Sequence, residues 1–194
     1  LADTFVSEVD FESPPPGLVG RAKVVGRMLW STSARAGIER AVERFRTDVA
    51  HLHNVYHQLS PSILGALARQ NVPVVLTLHD YKLACPTYHF LDKDKVCEAC
   101  VAHKFWNAPL RRCRDGSVLA SGTMALETSV HTLLRSYRHV DVFICPSEFM
   151  ARKMGEARAY PDKMHVLRHF VDLADTPTKA APGGEVLLAG RLVS

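Results

Sequence analysis

The stretch from Val72 to His89, VPVVLTLHDYKLACPTYH, constrains the fold more than any other. Pro73 opens an uncharged run, Val74, Val75, Leu76, Thr77 and Leu78, which stops on His79, Asp80 and Tyr81. A run of that length with no polar alternation is expected of a strand covered on both faces, as inside a parallel sheet. Ligands of open α/β sheets bind in the crevice beyond the carboxyl ends of such strands. A histidine at that position is therefore either poised for chemistry or simply hydrogen-bonded at a strand end.

The neighbouring segments support this placement. Asp48 to Asn54 alternates Val49, His51 and His53 against Ala50 and Leu52, as a strand does. Ser60-Pro61 reads as a helix start with serine as cap, and Ile63, Leu64 and Leu67 as the buried face of a helix ending near Asn71. Residues 48–79 thus make one strand, helix, strand unit, which winds right-handed into a parallel sheet. Val140 to Cys145, Met164 to Leu167 and Glu185 to Gly190 are the further strands. Ser147 caps a helix whose apolar side carries Phe149, Met150 and Met154.

Ahead of the first strand, Val24, Val25, Met28 and Leu29 recur at helical spacing. Ser31 to Ser33 offers a cap to a second amphipathic helix with Ile38, Val42, Phe45 and Val49 on one face. Ser117 opens a long helical pattern with Leu126, Val130, Leu133, Leu134 and Tyr137. Two Pro- and Gly-rich stretches, Ser13 to Gly17 and Thr176 to Gly184, read as linkers. The alternation defines an α/β, doubly wound parallel sheet. His53-Asn54, His79-Asp80, Ser147-Glu148, His169 and Gly190-Arg191 each follow a strand, so a parallel sheet carries them to one edge.

Composition narrows the function. With 47% hydrophobic and 23% charged residues, the 194-residue chain has ordinary globular composition, and no run approaches the ~18 apolar residues of a membrane span. The formal net charge of +4 tolerates phosphates or an anionic membrane surface and does not call for nucleic acid. No G-x-G-x-x-G, G-x-x-x-x-G-K-[ST] or G-x-S-x-G motif follows a strand, which argues against dinucleotide, P-loop and α/β-hydrolase sites. The start, LADTFVSEVD, lacks an initiator Met and a secretion signal, and EVLLAGRLVS ends just as a new strand begins, so a piece of a longer chain is expected.

Residues 80–117 differ in kind. They hold four of the five cysteines, Cys85, Cys97, Cys100 and Cys113, spaced C-x11-C-x2-C-x12-C. That count suits a structural tetrahedral zinc site; free thiols and a Cys97–Cys100 redox disulfide remain the alternatives. The cysteine density is too low for a secreted disulfide scaffold, which favours a reducing, cytoplasmic setting. Cys145, inside an apolar strand, reads as a small buried hydrophobe. Arg111, Arg112 and Arg114 form a basic patch, either plainly solvated or in contact with anionic lipid or phosphate. His51, His53, His57, His79 and Asp80 admit a second reading, a metal-dependent hydrolase, although no carboxylate-rich motif completes the ligand set.

Several separate motifs occur in one order: HLHNVYHQLSPSIL (51–64), VPVVLTLHDYKLACP (72–86), FICPSEFMARKM (143–154) and HVLRHFVD (165–172), closing with LLAGRL. Over residues 20–194 the chain resembles family-4 retaining glycosyltransferases of GT-B fold. Residues 1–180 are similar to an incomplete amino-terminal Rossmann-like domain. Residues 181–194 resemble the linker and first strand of the carboxy-terminal donor domain. The resemblance implies sugar transfer with retention from a nucleotide sugar to a glycan or lipid-linked acceptor, needing no cofactor for catalysis. Separately from the resemblance, the cysteine usage gives a cytoplasmic location as the expectation, and the mild positive charge and arginine patch allow contact at the membrane periphery. By the same resemblance His79 faces the donor sugar and Arg191 the donor diphosphate, while His53, Asn54, Asp80, Tyr81 and Glu148 line the acceptor cleft. Position 169 is His where the family often has Asn. The family's first strand and Gly-rich loop, and the lysine and glutamate pair beyond Arg191, are not in this sequence, which implies a fragment inactive alone. A non-catalytic Rossmann-like scaffold and a zinc-stapled nucleic-acid module are the other readings.

Overall fold

A computed structural model describes residues 17–170. The expected strand at Glu185 to Gly190, both linkers apart from Gly17, and Arg191 lie outside the described residues.

Two helices come first, α1 (Leu18–Leu29) and α2 (Thr32–Phe45). Ser31 caps α2, its Oγ accepting from the Ala34 N–H at 3.2 Å. The helix stops at Arg46, which turns into the left-handed region at φ 49°. Val49 therefore lies beyond the helix and is exposed, a correction to the face expected for it.

Four strands, β1 (Ala50–His53), β2 (Val74–Thr77), β5 (Val142–Cys145) and β6 (Met164–Val166), pair in parallel in the order β1-β2-β5-β6. Their connections are α3 (Ser62–Arg69), α5 (Val118–Leu133) and α6 (Glu148–Glu156). Because the order never reverses, right-handed crossovers put these helices on one face. The register places Leu52 beside Leu76 and Leu76 beside Phe143; Leu76, Phe143, Val74 and Cys145 are buried in a core shared with α3 and α6, and Leu52 is half-buried at its edge. On the other face, His51, Val75, Ile144 and His165 are half-buried or exposed among the described residues. The central strand is thus closed on one side and half-closed on the other, where coverage on both faces was expected.

Local chemistry fixes the helix starts. Ser117 and Ser147 cap α5 and α6 as expected, accepting from Ala120 and Met150 N–H groups. At α3 the cap shifts by one residue: Ser60 takes φ 55° and Pro61 occupies the cap position. The Ser60 hydroxyl instead accepts from Ser31 N–H at 3.0 Å and meets Ser62 Oγ at 2.8 Å, tying α3 to the start of α2. Between β2 and α5 the chain makes a small hairpin, β3 (Leu91–Asp92) with β4 (Lys95–Val96), and a short helix α4 (Asn107–Arg111). The sequence pattern did not anticipate that hairpin. No helix among the described residues is long and apolar enough to cross a membrane.

Two packing expectations are reversed. Leu126, Leu133 and Leu134 face outward, and the buried side of α5 is Ser121, Met124, Ala125, Glu127, Thr128 and His131. Phe149 is also exposed, and Arg152 and Lys153 sit over its ring. Met150 and Met154 carry the contact of α6 with the core instead.

Candidate active site

The carboxyl edge of the sheet gathers imidazoles. Residues two apart on a strand share a face, so His51 and His53 stand side by side with ring centroids 4.5 Å apart. The parallel register sets His53 against Thr77, and β2 delivers His79 two residues later. His51 Nε2 meets Thr77 Oγ1 at 2.7 Å, and His53 Nδ1 meets His79 Nε2 at 2.7 Å. Beyond His79 the ring of His169, just past β6, lies nearly parallel to it at 6.5 Å. Desolvation, and then the neighbouring His51 and His79, hold the His53 pKa below the ordinary histidine value.

Glu148 opens α6 at the same edge, and its carboxylate accepts from Arg168 Nη2 at 2.8 Å. Both side chains are exposed, so the pair is weak and each partner is available to a ligand. Residues 53, 79 and 148 are therefore connected along one rim, through His169 and Arg168. Asn54 ends β1 in the left-handed region at φ 47°, which asparagine tolerates, and is exposed there.

Asp80 and Tyr81 point elsewhere. Asp80 Oδ1 accepts from Tyr56 Oη at 3.0 Å and from the Lys82 N–H at 2.9 Å. Burial, followed by the charge of Asp80, pushes the Tyr56 hydroxyl far above its ordinary pKa, so it stays a donor. Asp80 thus braces the turn that presents His79. Tyr81 is half-buried against Phe90, ring centroids 4.8 Å apart.

His57 leaves the expected histidine constellation. It turns inward, with Nδ1 3.9 Å from Glu127 Oε1. Burial, then the charges of Lys82 and Arg114, lower its pKa to about 4. Among the described residues no group of three or more His, Cys, Asp or Glu is set to hold a metal ion, so the hydrolase reading finds no support in the geometry.

Sequence reasoning missed a buried polar cluster beneath the rim. Lys82 Nζ donates to Glu127 Oε2 at 2.5 Å and to the Pro86 carbonyl at 3.1 Å. Glu127 Oε1 and His131 Nε2 lie 3.9 Å apart, and Glu127 Oε1 has no hydrogen-bond partner among the described residues. Burial raises the Glu127 pKa against the pull of Lys82, and burial lowers that of His131 to about 4. These side chains line a cavity of about 400 Å³ that also meets Arg158 and Lys163. The available signal was the α5 stripe at 121, 124, 127, 128 and 131, where Ser121, Glu127, Thr128 and His131 share helical spacing with Met124.

The four cysteines of the insert are free thiols. Burial, then the neighbouring Cys85, Cys113 and Cys97, push the Cys100 thiol up to about 12.

A parallel α/β sheet with histidine, carboxylate and guanidinium groups on its carboxyl rim is the Rossmann-like half expected of a GT-B enzyme. The family model Glycosyltransferase Family 4 matches residues 8–175, and the chain belongs to that family. No curated protein and no solved structure matches it.

Proposed function

We propose that the chain supplies the acceptor-side half of a retaining glycosyltransferase, moving a sugar from a nucleotide-sugar donor to a glycan or lipid-linked acceptor. The observation that carries this reading is the His53–His79–His169 row on the sheet rim, with Glu148 and Arg168 beside it. His79 is the group that meets the donor sugar at the reaction centre. Donors fixed in advance where charge develops lower a barrier without reorganising at the moment of reaction. His53 holds the ring, and Glu148 and Asn54 offer hydrogen bonds to acceptor hydroxyls. Arg191 neutralises the departing diphosphate, and the transfer itself uses no metal.

The test uses the full-length protein and a panel of nucleotide sugars. His79→Ala should lower kcat on the order of 10²–10³-fold, with donor KM changed far less. Unchanged kcat in that variant would overturn the assignment. The 194-residue chain alone should turn over no nucleotide sugar. A full-length protein inactive toward every donor would support the scaffold reading instead.

A cytoplasmic enzyme touching the membrane periphery fits one further surface. Trp106 (61% exposed) and Leu110 (75% exposed), with Val118 and Leu119 on the packed start of α5, stand beside exposed Arg111 and Arg112. Apolar residues flanked by guanidinium groups suit an interface of anionic lipid. Vesicles rich in phosphatidylserine should pull the protein down, and Trp106→Ser with Leu110→Ser should release it. Equal recovery with purely neutral vesicles would remove the role of the arginines.

A further inference from the structure

The near end of the excursion between β2 and α5, with Leu83, Ala84, Cys85 and Phe90, packs into the main core, and its far end has little apolar packing of its own. Its buried cluster is Cys100, Phe105 and Ala108 with Ala125 of α5, and half-buried Cys113 beside them. Tyr88, Phe90, Ala102, His103 and Arg112 all take positive φ, between 53° and 66°. Bulky residues in that region cost conformational energy and persist only where surroundings over-determine them. A long irregular segment of this kind normally carries its own staple.

The backbone brings the cysteines inward. The Cys97 N–H donates to the Phe90 carbonyl at 2.7 Å, and the Tyr88 N–H to the Cys85 carbonyl at 2.9 Å. Those two bonds fold Cys97 back toward Cys85 across the hairpin. The Cys113 N–H donates to the Ala108 carbonyl at 3.2 Å, and the Ala108 N–H to the Phe105 carbonyl at 3.1 Å, which packs Cys113 beside Cys100 in the same small cluster. The thiol of Cys100 lies within electrostatic reach of Cys85, Cys97 and Cys113, and Cys113 within reach of Cys85 and Cys97. Arg111 joins them, bound to Asp92 Oδ2 at 2.9 Å and close to Cys97 and Cys113. Cys145 is remote in role, buried in β5 with its thiol on Met164 Sδ.

We propose that Cys85, Cys97, Cys100 and Cys113 bind one zinc ion as thiolates, in a closed tetrahedral site that staples the insert to the sheet. Loading releases the four thiol protons and forms four Zn–S bonds of about 2.3 Å, with no change of oxidation state. Because no group of three ligands is already set around a metal, the sulfurs must draw in from a thiol cluster. The resulting dianion is offset by Arg111 at its side. No ligand position stays open, so the ion holds structure and touches no substrate. The site is independent of the transfer chemistry at His79.

Metal analysis of the full-length protein, purified without chelator, tests it. About one zinc per chain is expected. Cys97→Ser with Cys100→Ser should lose that zinc, and Cys145→Ser should keep it. Since the double variant can fail to fold, cobalt loading of the unaltered protein supplies a second readout. Its absorption should show sulfur-to-cobalt charge transfer from four thiolates in tetrahedral geometry. Unaltered protein that retains no zinc after equilibration and dialysis, or a cobalt spectrum without thiolate bands, would overturn the site. An iron–sulfur chromophore would overturn it equally. Transfer activity that depends on His79 while zinc is absent would discard the staple and leave the transfer reading intact.

Discussion

Helices α3 and α5 are both connections of the parallel sheet, and their inner faces are built by opposite means. The inner face of α3 is Ile63, Leu64 and Leu67, all essentially without solvent contact. The inner face of α5 buries Glu127, 1% exposed, with Thr128 and His131, and turns Leu133 outward at 82% exposure. One helix is held by non-directional burial, which any similar apolar residue supplies. The other is held by a salt bridge and hydrogen bonds, whose worth depends on each partner being present. Stability on the α5 side is therefore more brittle and more sensitive to pH.

The largest expected effect is at the ion pair. Lys82→Met leaves a buried carboxylate without its cation and should cost about 3–5 kcal/mol in a urea melt. Adding Glu127→Leu should recover most of that loss. A single-variant loss under about 1 kcal/mol would break the contrast between the helices. On α3, Leu64→Ala should cost about 2–5 kcal/mol, with no partner substitution able to restore it.

Acid should weaken the α5 side more than the α3 side. His131 and His57 titrate near 4 when folded and near the ordinary 6.5 when unfolded. The unfolded chain thus binds more protons between those values, and stability falls as pH drops from 6.5 toward 4. The loss is up to roughly 3 kcal/mol for His131. Glu127, shifted the other way, offsets part of it. Melting temperature followed against pH should decline over that window, and His131→Asn should flatten the decline. The smallest effect belongs to the outward leucines. Leu126→Gln and Leu133→Gln should each stay within about 0.5 kcal/mol of the parent in the same melt. A loss comparable to Leu64→Ala would show that this face is covered in solution.

Much of the scaffold was legible because its signals are local. Caps at Ser31, Ser117 and Ser147 need only a hydroxyl three residues ahead of an amide. The strand ends that place His53, His79 and Glu148 along one rim follow from apolar runs that stop on polar residues. What stayed hidden depends on distant partners. Glu127 is buried because Lys82, forty-five residues earlier in the chain, reaches it, and no window around Glu127 contains that fact. Asp80 turns toward Tyr56 for a similar reason, as the hydroxyl and the Lys82 amide together satisfy one carboxylate oxygen. The outward α5 leucines misled because periodicity gives a stripe without saying which stripe faces in.

The short contact between His53 and His79 has a consequence for how such a site tolerates acid. Two facing ring nitrogens at 2.7 Å have room for a single hydrogen between them. Charging both rings would set two N–H groups head to head, and the rings would swing apart. Because its pKa is held below the ordinary value, the His53 ring keeps a bare nitrogen to lower pH, and with it the alignment of His79.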